Sequence, residues 1–354
     1  MRRLIAKLAI FLMVPVAVLA FPAWVLFASG ESLRDDDLIA LRGKTQRFLV
    51  GRAYSESTGY VKLKTVLNDT PEVLALGTSR VGGFRWDLFQ PRFYNAGSGE
   101  YQQFEDLLAF LRRIPAARQP RLIVLGMDQK FFNVRWTEHV PEPFAEPPLL
   151  SKRLPLWSVL RSSWPMVYRD YFQRKFRLAD LTKRRADGVR RIGLQAIARE
   201  FGYREDGSFT WPFWDYDSLD LHQIAHDERY YVYGSGVSDQ TVTEVEAFLS
   251  ECQRRGIHVA GFLPPFSPRV YQALEERPRE YGFMFELPNR LQPLFERYGF
   301  SFADFTNPER CAVDRDGFFD GQHASERGYR RLWKCWVDSD QRLKPFSAEL
   351  NARE

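Results

Sequence analysis

Cysteine and histidine are scarce in this chain of 354 residues, three of one and five of the other. Cys252, Cys311 and Cys335 lack metal-ligand spacing, and no His/Cys cluster supplies it, so a zinc site of the usual sequence pattern is excluded. His222 and His226, four apart, are too few to hold a metal by themselves. The chain has no phosphate-cradling Walker loop, and Gly126-Met127-Asp128 is not a dinucleotide fingerprint. No internal repeat or low-complexity tract is present. The net charge of +5 is mild and no nucleic-acid module is recognisable, so nucleic acid is not the expected partner. With 45% hydrophobic and 27% charged residues, the composition is that of an ordinary globular protein with ample length for a buried core.

Uncharged stretches are short with one exception. Residues 8–28 carry no charge, and a helix there is long enough to cross a bilayer, which needs about 20 apolar residues. Arg2, Arg3 and Lys7 precede it; Glu31, Arg34 and Asp35–Asp37 follow. Positive residues stay on the cytoplasmic side, so residues 1–30 read as a single-pass anchor in the cytoplasmic membrane, with the body on the periplasmic or extracellular side. Pro15 and Pro22 can kink such a helix without excluding it. The alternative is a cleaved signal peptide, for which Val18-Leu19-Ala20 is a poor cleavage site. In that compartment Cys311 and Cys335 either form a disulfide or remain buried thiols.

Residues 31–70 have no long periodic run and read as a membrane-proximal linker. The pattern then changes. Residues 73–76 are a short apolar run leading into Gly77-Thr78-Ser79-Arg80, and residues 92–95 form another, ending in Asn95-Ala96-Gly97-Ser98-Gly99. Phe104, Leu107, Leu108 and Leu111 have helical spacing, and residues 121–126 are a buried-strand run. The alternation resumes with a helix over 241–255, a strand over 257–263, a helix over 287–298, a strand over 300–305 and a terminal helix over 325–336. Strands alternating with helices predict an α/β fold with a parallel sheet covered by helices.

A long insertion, about residues 131–236, separates the two halves; such an excursion is usually functional. Residues 151–204 hold 14 Lys/Arg against 4 Asp/Glu. That excess is either a solvated helical face or a contact for anionic headgroups or an anionic polymer. Residues 209–216 are densely aromatic, and side chains such as Trp211 and Trp214 offer flat surfaces for a sugar ring or a membrane interface; the plainer reading is a lid packed on the core.

Ser79, at the end of a strand, is placed as a nucleophile. Asp320 and His323, three apart in Asp320-Gly321-Gln322-His323, are placed as orienter and base. The plainer alternatives are a turn serine and a helix-start histidine. Arg80 either pairs with an anionic substrate group or makes a structural salt bridge. These blocks resemble those of the SGNH/GDSL hydrolase superfamily: Val73-Leu74-Ala75-Leu76-Gly77-Thr78-Ser79-Arg80 its nucleophile block, Asn95-Ala96-Gly97-Ser98-Gly99 its glycine block, and Asp320 to His323 its D-x-x-H block. The core matches cover about 71–133 and 240–336. The resemblance implies a three-layer, flavodoxin-like α/β/α domain over 71–354 and no cofactor. It also implies an oxyanion hole from the N–H groups of Ser79 and Gly97. The third block departs from the family, reading Gly126-Met127-Asp128-Gln129 where an asparagine normally donates; an ionised Asp128 cannot donate, so Gln129 or Asn133 replaces it or backbone N–H groups act alone.

With a membrane anchor, the pattern is similar to D-alanyl transfer proteins and periplasmic polysaccharide O-acetyltransferases. That similarity implies transfer of an acyl group to a glycan acceptor beside a membrane-bound O-acyltransferase. An esterase, or a non-catalytic scaffold or glycan-binding partner, are the alternatives.

Overall fold

The computed structural model describes residues 2–41, 47–54, 58–139, 156–182, 186–212, 217–234 and 236–349. In chain order the elements are α1 (Arg2–Ser29), α2 (Asp35–Leu41), β1 (Phe48–Val50), α3 (Thr58–Asp69), β2 (Val73–Leu76), β3 (Phe93–Asn95), α4 (Phe104–Arg112), β4 (Leu122–Gly126), α5 (Val134–His139), α6 (Leu156–Phe172) and α7 (Leu178–Thr182). They continue with β5 (Arg190–Ile192), α8 (Leu194–Arg199), β6 (Gly202–Arg204), β7 (Phe209–Thr210), α9 (Asp217–His226), α10 (Asp239–Arg255), β8 (His258–Leu263), α11 (Pro268–Glu275), α12 (Pro278–Arg297), β9 (Ser301–Asp304) and α13 (Glu326–Ser339). The protein is α/β. It divides into two compact units: residues 1–57 with 150–205, and residues 58–149 with 206–354.

The larger unit is built on a five-stranded sheet in the order β3-β2-β4-β8-β9, parallel throughout. Parallel strands covered on both faces become continuous apolar runs, which is why β2 and β4 are buried at every position. Alternate residues serve two cores. Leu74, Leu76, Ile123 and Leu125 pack with α3, α4, α10 and α12, whereas Val73, Ala75, Val124 and Phe262 pack with α13. α10 starts where the Ser238 side chain accepts the Thr241 N–H and stops at Gly256, whose φ of 71° closes the helix. α12 begins at Pro278, which suits a first helical position, well before the expected 287; Gly282 and Pro288 obscure its first turns in the sequence. Cys311 and Cys335 are joined by a disulfide, and Cys252 is a buried free thiol.

The smaller unit has a mixed sheet, β1 running parallel to β5 and antiparallel to β6. The buried Glu31 carboxylate holds it together by accepting the N–H groups of Ala53 (2.7 Å) and Leu194 (2.9 Å). Residues 31–70 are therefore not a linker. They supply α2 and β1 to this unit and α3, with Leu63 and Val66 in the core, to the larger one. The expected insertion 131–236 also divides: residues 150–205 complete the smaller unit, and residues 206–236 belong to the larger. α1 is helical across the expected anchor. Among the described residues, however, no helix is long and apolar enough to cross a membrane.

Candidate active site

The site lies in the larger unit at the carboxyl ends of β2 and β4. The chain leaves β2 for β3 on one side and reaches β4 on the other, so this is the point where the strand order reverses, the usual place for a crevice in an open α/β sheet. Gly77 lets the chain turn there: a Cβ on it would sit 2.8 Å from the Gly126 carbonyl oxygen. Thr78 Oγ1 accepts the Arg80 N–H (3.2 Å) and starts a short 3-10 turn, Ser79–Val81, that lifts Ser79 off the sheet.

Ser79 Oγ lies 2.9 Å from His323 Nε2, and His323 Nδ1 lies 2.7 Å from Asp320 Oδ2. Asp320 also accepts the N–H groups of Gln322 (2.9 Å) and His323 (2.7 Å) through Oδ1, so the loop folds around its own carboxylate. Burial pushes Asp320 up, but His323 and these N–H groups outweigh it and leave the carboxyl below its ordinary range. An ionised carboxylate only accepts, so the proton between the pair belongs on Nδ1, and Nε2 is left to accept from the Ser79 hydroxyl. The three residues expected as a triad are brought together.

Trp211 walls the base. Its indole stacks on the His323 ring with centroids 4.7 Å apart and also contacts Phe319 and Phe209. Trp214 lies outside the described residues.

The oxyanion side differs from expectation. The Gly97 N–H is engaged by Asn95 Oδ1 (2.9 Å), and Asn95 Nδ2 donates to the Val81 and Phe84 carbonyls, tying the glycine block to the nucleophile turn. Gln129 is buried, with Nε2 donating to the Pro264 carbonyl (2.8 Å) and Oε1 accepting from Arg80 (2.6 Å). Asn133 Nδ2 donates to the Val232 carbonyl (2.7 Å). Neither amide donates toward Ser79, because buried amides must satisfy themselves locally and both have done so. Among the described residues, only Ser79's own N–H, of the donors expected, has no hydrogen-bond partner.

Arg80 is not a substrate group. It is 2% exposed, and all three guanidinium nitrogens are used: on Gln322 O, on Asp128 Oδ1 (3.1 Å) and Gln129 Oε1, and on the Pro264 and Pro265 carbonyls. The guanidinium also lies over the Phe266 ring, 4.2 Å from its centroid. It joins the nucleophile turn to the ends of β4 and β8 and to the base loop. Asp128 accepts from Thr78 Oγ1 (3.0 Å) as well. Burial pushes Asp128 up, but the charges of Arg80 and Lys130 hold it below the ordinary range, so it is an acceptor only.

Two acids on α9 complete the site without having been expected. Asp220 Oδ2 accepts the Gly321 N–H (3.0 Å), inside the Asp320–His323 loop. Gly321 has no room for a side chain, since a Cβ would approach that oxygen to 2.2 Å. Asp217, one turn earlier, accepts from Ser267 Oγ (3.2 Å) and from Arg315 Nε (3.0 Å), and the Ser267 N–H donates to the Gly321 carbonyl (2.8 Å). Burial, then the nearby Asp320 charge, push the Asp220 carboxyl up to about 6. In sequence, two acids one turn apart look like any solvated helix face; only the glycine in Asp320-Gly321-Gln322-His323 marks that something presses on the loop.

His222 and His226 stack on each other, with ring centroids 4.1 Å apart, and among the described residues no group of three metal-ligating side chains gathers. No family model matches the chain, and no curated protein matches it.

Proposed function

We propose that the protein is a serine acyltransferase of the SGNH type that modifies a cell-envelope or exported polysaccharide through an acyl-Ser79 intermediate. The hydrogen-bonded line Ser79–His323–Asp320 carries this reading. His323 Nε2 takes the Ser79 proton as Oγ attacks the acyl carbonyl, and Asp320 stabilises the imidazolium that results. The Ser79 N–H faces the developing oxyanion; one such donor is worth roughly 10²–10³ in turnover. The imidazolium then protonates the departing oxygen, leaving the acyl group on Ser79. In the second half His323 takes a proton from a glycan hydroxyl, which attacks the acyl-enzyme; the new ester leaves and Ser79 regains its proton. Trp211, beside the base, is placed as the surface on which a sugar ring rests.

In this reading the larger unit is the flavodoxin-like SGNH domain and α1 is the membrane anchor. The disulfide favours an oxidising compartment outside the cytoplasm. A membrane-bound O-acyltransferase is the proposed source of the acyl group. The glycine-block N–H already engaged and Asp128 in place of a donor favour a second reading, a glycan-binding scaffold of an acylation complex. Water in place of the glycan hydroxyl makes an esterase.

The test is intact-mass analysis of the full chain in detergent after exposure to p-nitrophenyl acetate, beside Ser79→Ala and His323→Ala. An acetyl adduct lost in both variants supports acyl transfer chemistry. Absence of an adduct, together with no labelling of Ser79 by a serine-directed fluorophosphonate, moves the protein to the scaffold reading.

A further inference from the structure

The exposed apolar side chains are concentrated. Among the described residues eleven large hydrophobic side chains stand exposed, and eight of them lie on α1 and α6 of the smaller unit, Phe11, Phe27, Trp157 and Phe172 being 62–75% exposed. A surface of that kind is a liability in water and is ordinarily covered.

α1 changes character along its length. Residues 15–18, with Phe11 and Met13, are exposed; from Leu19 onward the helix packs, and Val25 and Leu26 share a core with Val159, Leu160 and Val167 of α6. The helix from Arg2 to Val18, ahead of that contact, is about 25 Å long. That is slightly less than a hydrocarbon core of about 30 Å. Residues 8–28 therefore do not run through the bilayer as one bare span.

The contact contains a second clue. Pro22 has no N–H, so the Val18 carbonyl four residues earlier loses its helical donor. The Tyr168 hydroxyl of α6 donates to it at 2.8 Å, and the Phe21 ring packs on Tyr168 and Tyr171. Water would satisfy such a carbonyl on a wet surface. A protein donor is needed where lipid replaces water.

The outward stripe of α6, at helical spacing, is Trp157, Arg161, Pro165 and Phe172, with the half-buried Tyr168 between this stripe and α1. Exposed aromatic rings beside an arginine are what a membrane–water interface accommodates, rings at headgroup level and the guanidinium on phosphate. Exposed Arg174, Lys175 and Arg177 continue the positive charge just beyond the helix.

We propose that α6 lies in the headgroup plane of a bilayer containing anionic lipid, and that the α1–α6 contact fixes how deeply the first 17 residues of α1 enter it. The proposal rests on the reading that α1 meets a membrane and is independent of the acyl-transfer reading.

The test uses the full chain in vesicles of phosphatidylcholine with phosphatidylglycerol. An environment-sensitive nitrobenzoxadiazole label is placed at Phe11→Cys, about 10 Å along α1 from the Val18 contact, at Trp157→Cys, Phe172→Cys or, as a control in the larger unit, Glu286→Cys. Depth is read with doxyl quenchers near the headgroup or at mid-chain. The expected result is mid-chain quenching at position 11, headgroup-level quenching at 157 and 172, and none at 286. Quenching at 157 and 172 should weaken in vesicles of phosphatidylcholine alone. Quenching at 11 with water-like emission at 157 and 172 overturns the proposal and leaves α1 as the sole anchor. No quenching at 11 overturns the membrane reading as a whole. Circular dichroism of each labelled chain, matching the parent, shows that loss of signal is not loss of fold.

Discussion

The two sides of Ser79 are constructed on opposite plans. On one side the base and its carboxylate sit within three residues of each other, partly reachable by solvent, with the imidazole walled by Trp211. On the other, where a donor to an oxyanion is expected, there is a buried ion pair, Arg80–Asp128, whose hydrogen bonds are spent on the protein itself. In the proposed mechanism one side moves a proton; the other holds still. Substitutions on the first should therefore change turnover with little loss of stability, and substitutions on the second should do the reverse.

The largest effect expected is at the first side. His323→Ala should lower acyl-donor turnover by roughly 10³–10⁶-fold, the range for losing a base that acts with its nucleophile. Its melting temperature should stay close to the parent's; a large drop would mean that the histidine is structural and the contrast false. Asp320→Asn should lose up to about 10⁴-fold in turnover, by letting the imidazole take the wrong tautomer. An unchanged KM with the fall confined to kcat would sharpen the comparison.

On the second side, Arg80→Met leaves a buried carboxylate without its cation and should cost about 3–5 kcal/mol in denaturant unfolding. Arg80→Lys should recover only part, since one ammonium cannot reach the carbonyls of Pro264, Pro265 and Gln322 as the guanidinium fork does. If Arg80→Met instead raised KM at unchanged stability, Arg80 would belong with the substrate and the comparison would fail.

Asp220 tests the border between the two sides. Its carboxyl is raised to about 6 in the folded protein, above its value in an unfolded chain, so the fold favours its neutral form. That contribution is fully present below the ordinary carboxylate range and is lost as pH rises through about 6; a two-unit shift corresponds to about 3 kcal/mol at most. Asp220→Asn keeps an acceptor for the Gly321 N–H and stays neutral. The parent should therefore lose melting temperature relative to the variant between about pH 4 and 6. A parallel pair of stability curves would remove Asp220 from the site.

The smallest effect is expected at Asp128→Asn, which supplies an amide donor while weakening the pair with Arg80. Stability should fall by about 1–3 kcal/mol, the range for disturbing a buried polar partner. A gain in turnover would show that the second side lacks only a donor.

The parts of this molecule that could be read from sequence are those whose cause is local. β2 and β4 are apolar runs because both faces are covered, and the Asp320–His323 pair is legible because its two members share a loop. α3 was missed because Lys62 and Lys64 break its apolar pattern. Yet Lys62 is fully buried, its ammonium held by the Gly97 and Gly207 carbonyls. Arg80's role was one of two open readings because most of its partners are backbone carbonyls, which have no sequence signature. The smaller unit was illegible because β1 and β5, which pair, are separated by the strands that begin the other unit.

The hydrogen bond between Ser79 and His323 joins residues 244 positions apart. A ribosome adding about 5–20 residues per second makes the serine roughly 12–50 seconds before its base. During that interval the growing chain carries Ser79 without the loop, bracketed by Cys311 and Cys335, that would activate it. On the acyl-transfer reading, activation of the serine thus waits on the order of synthesis.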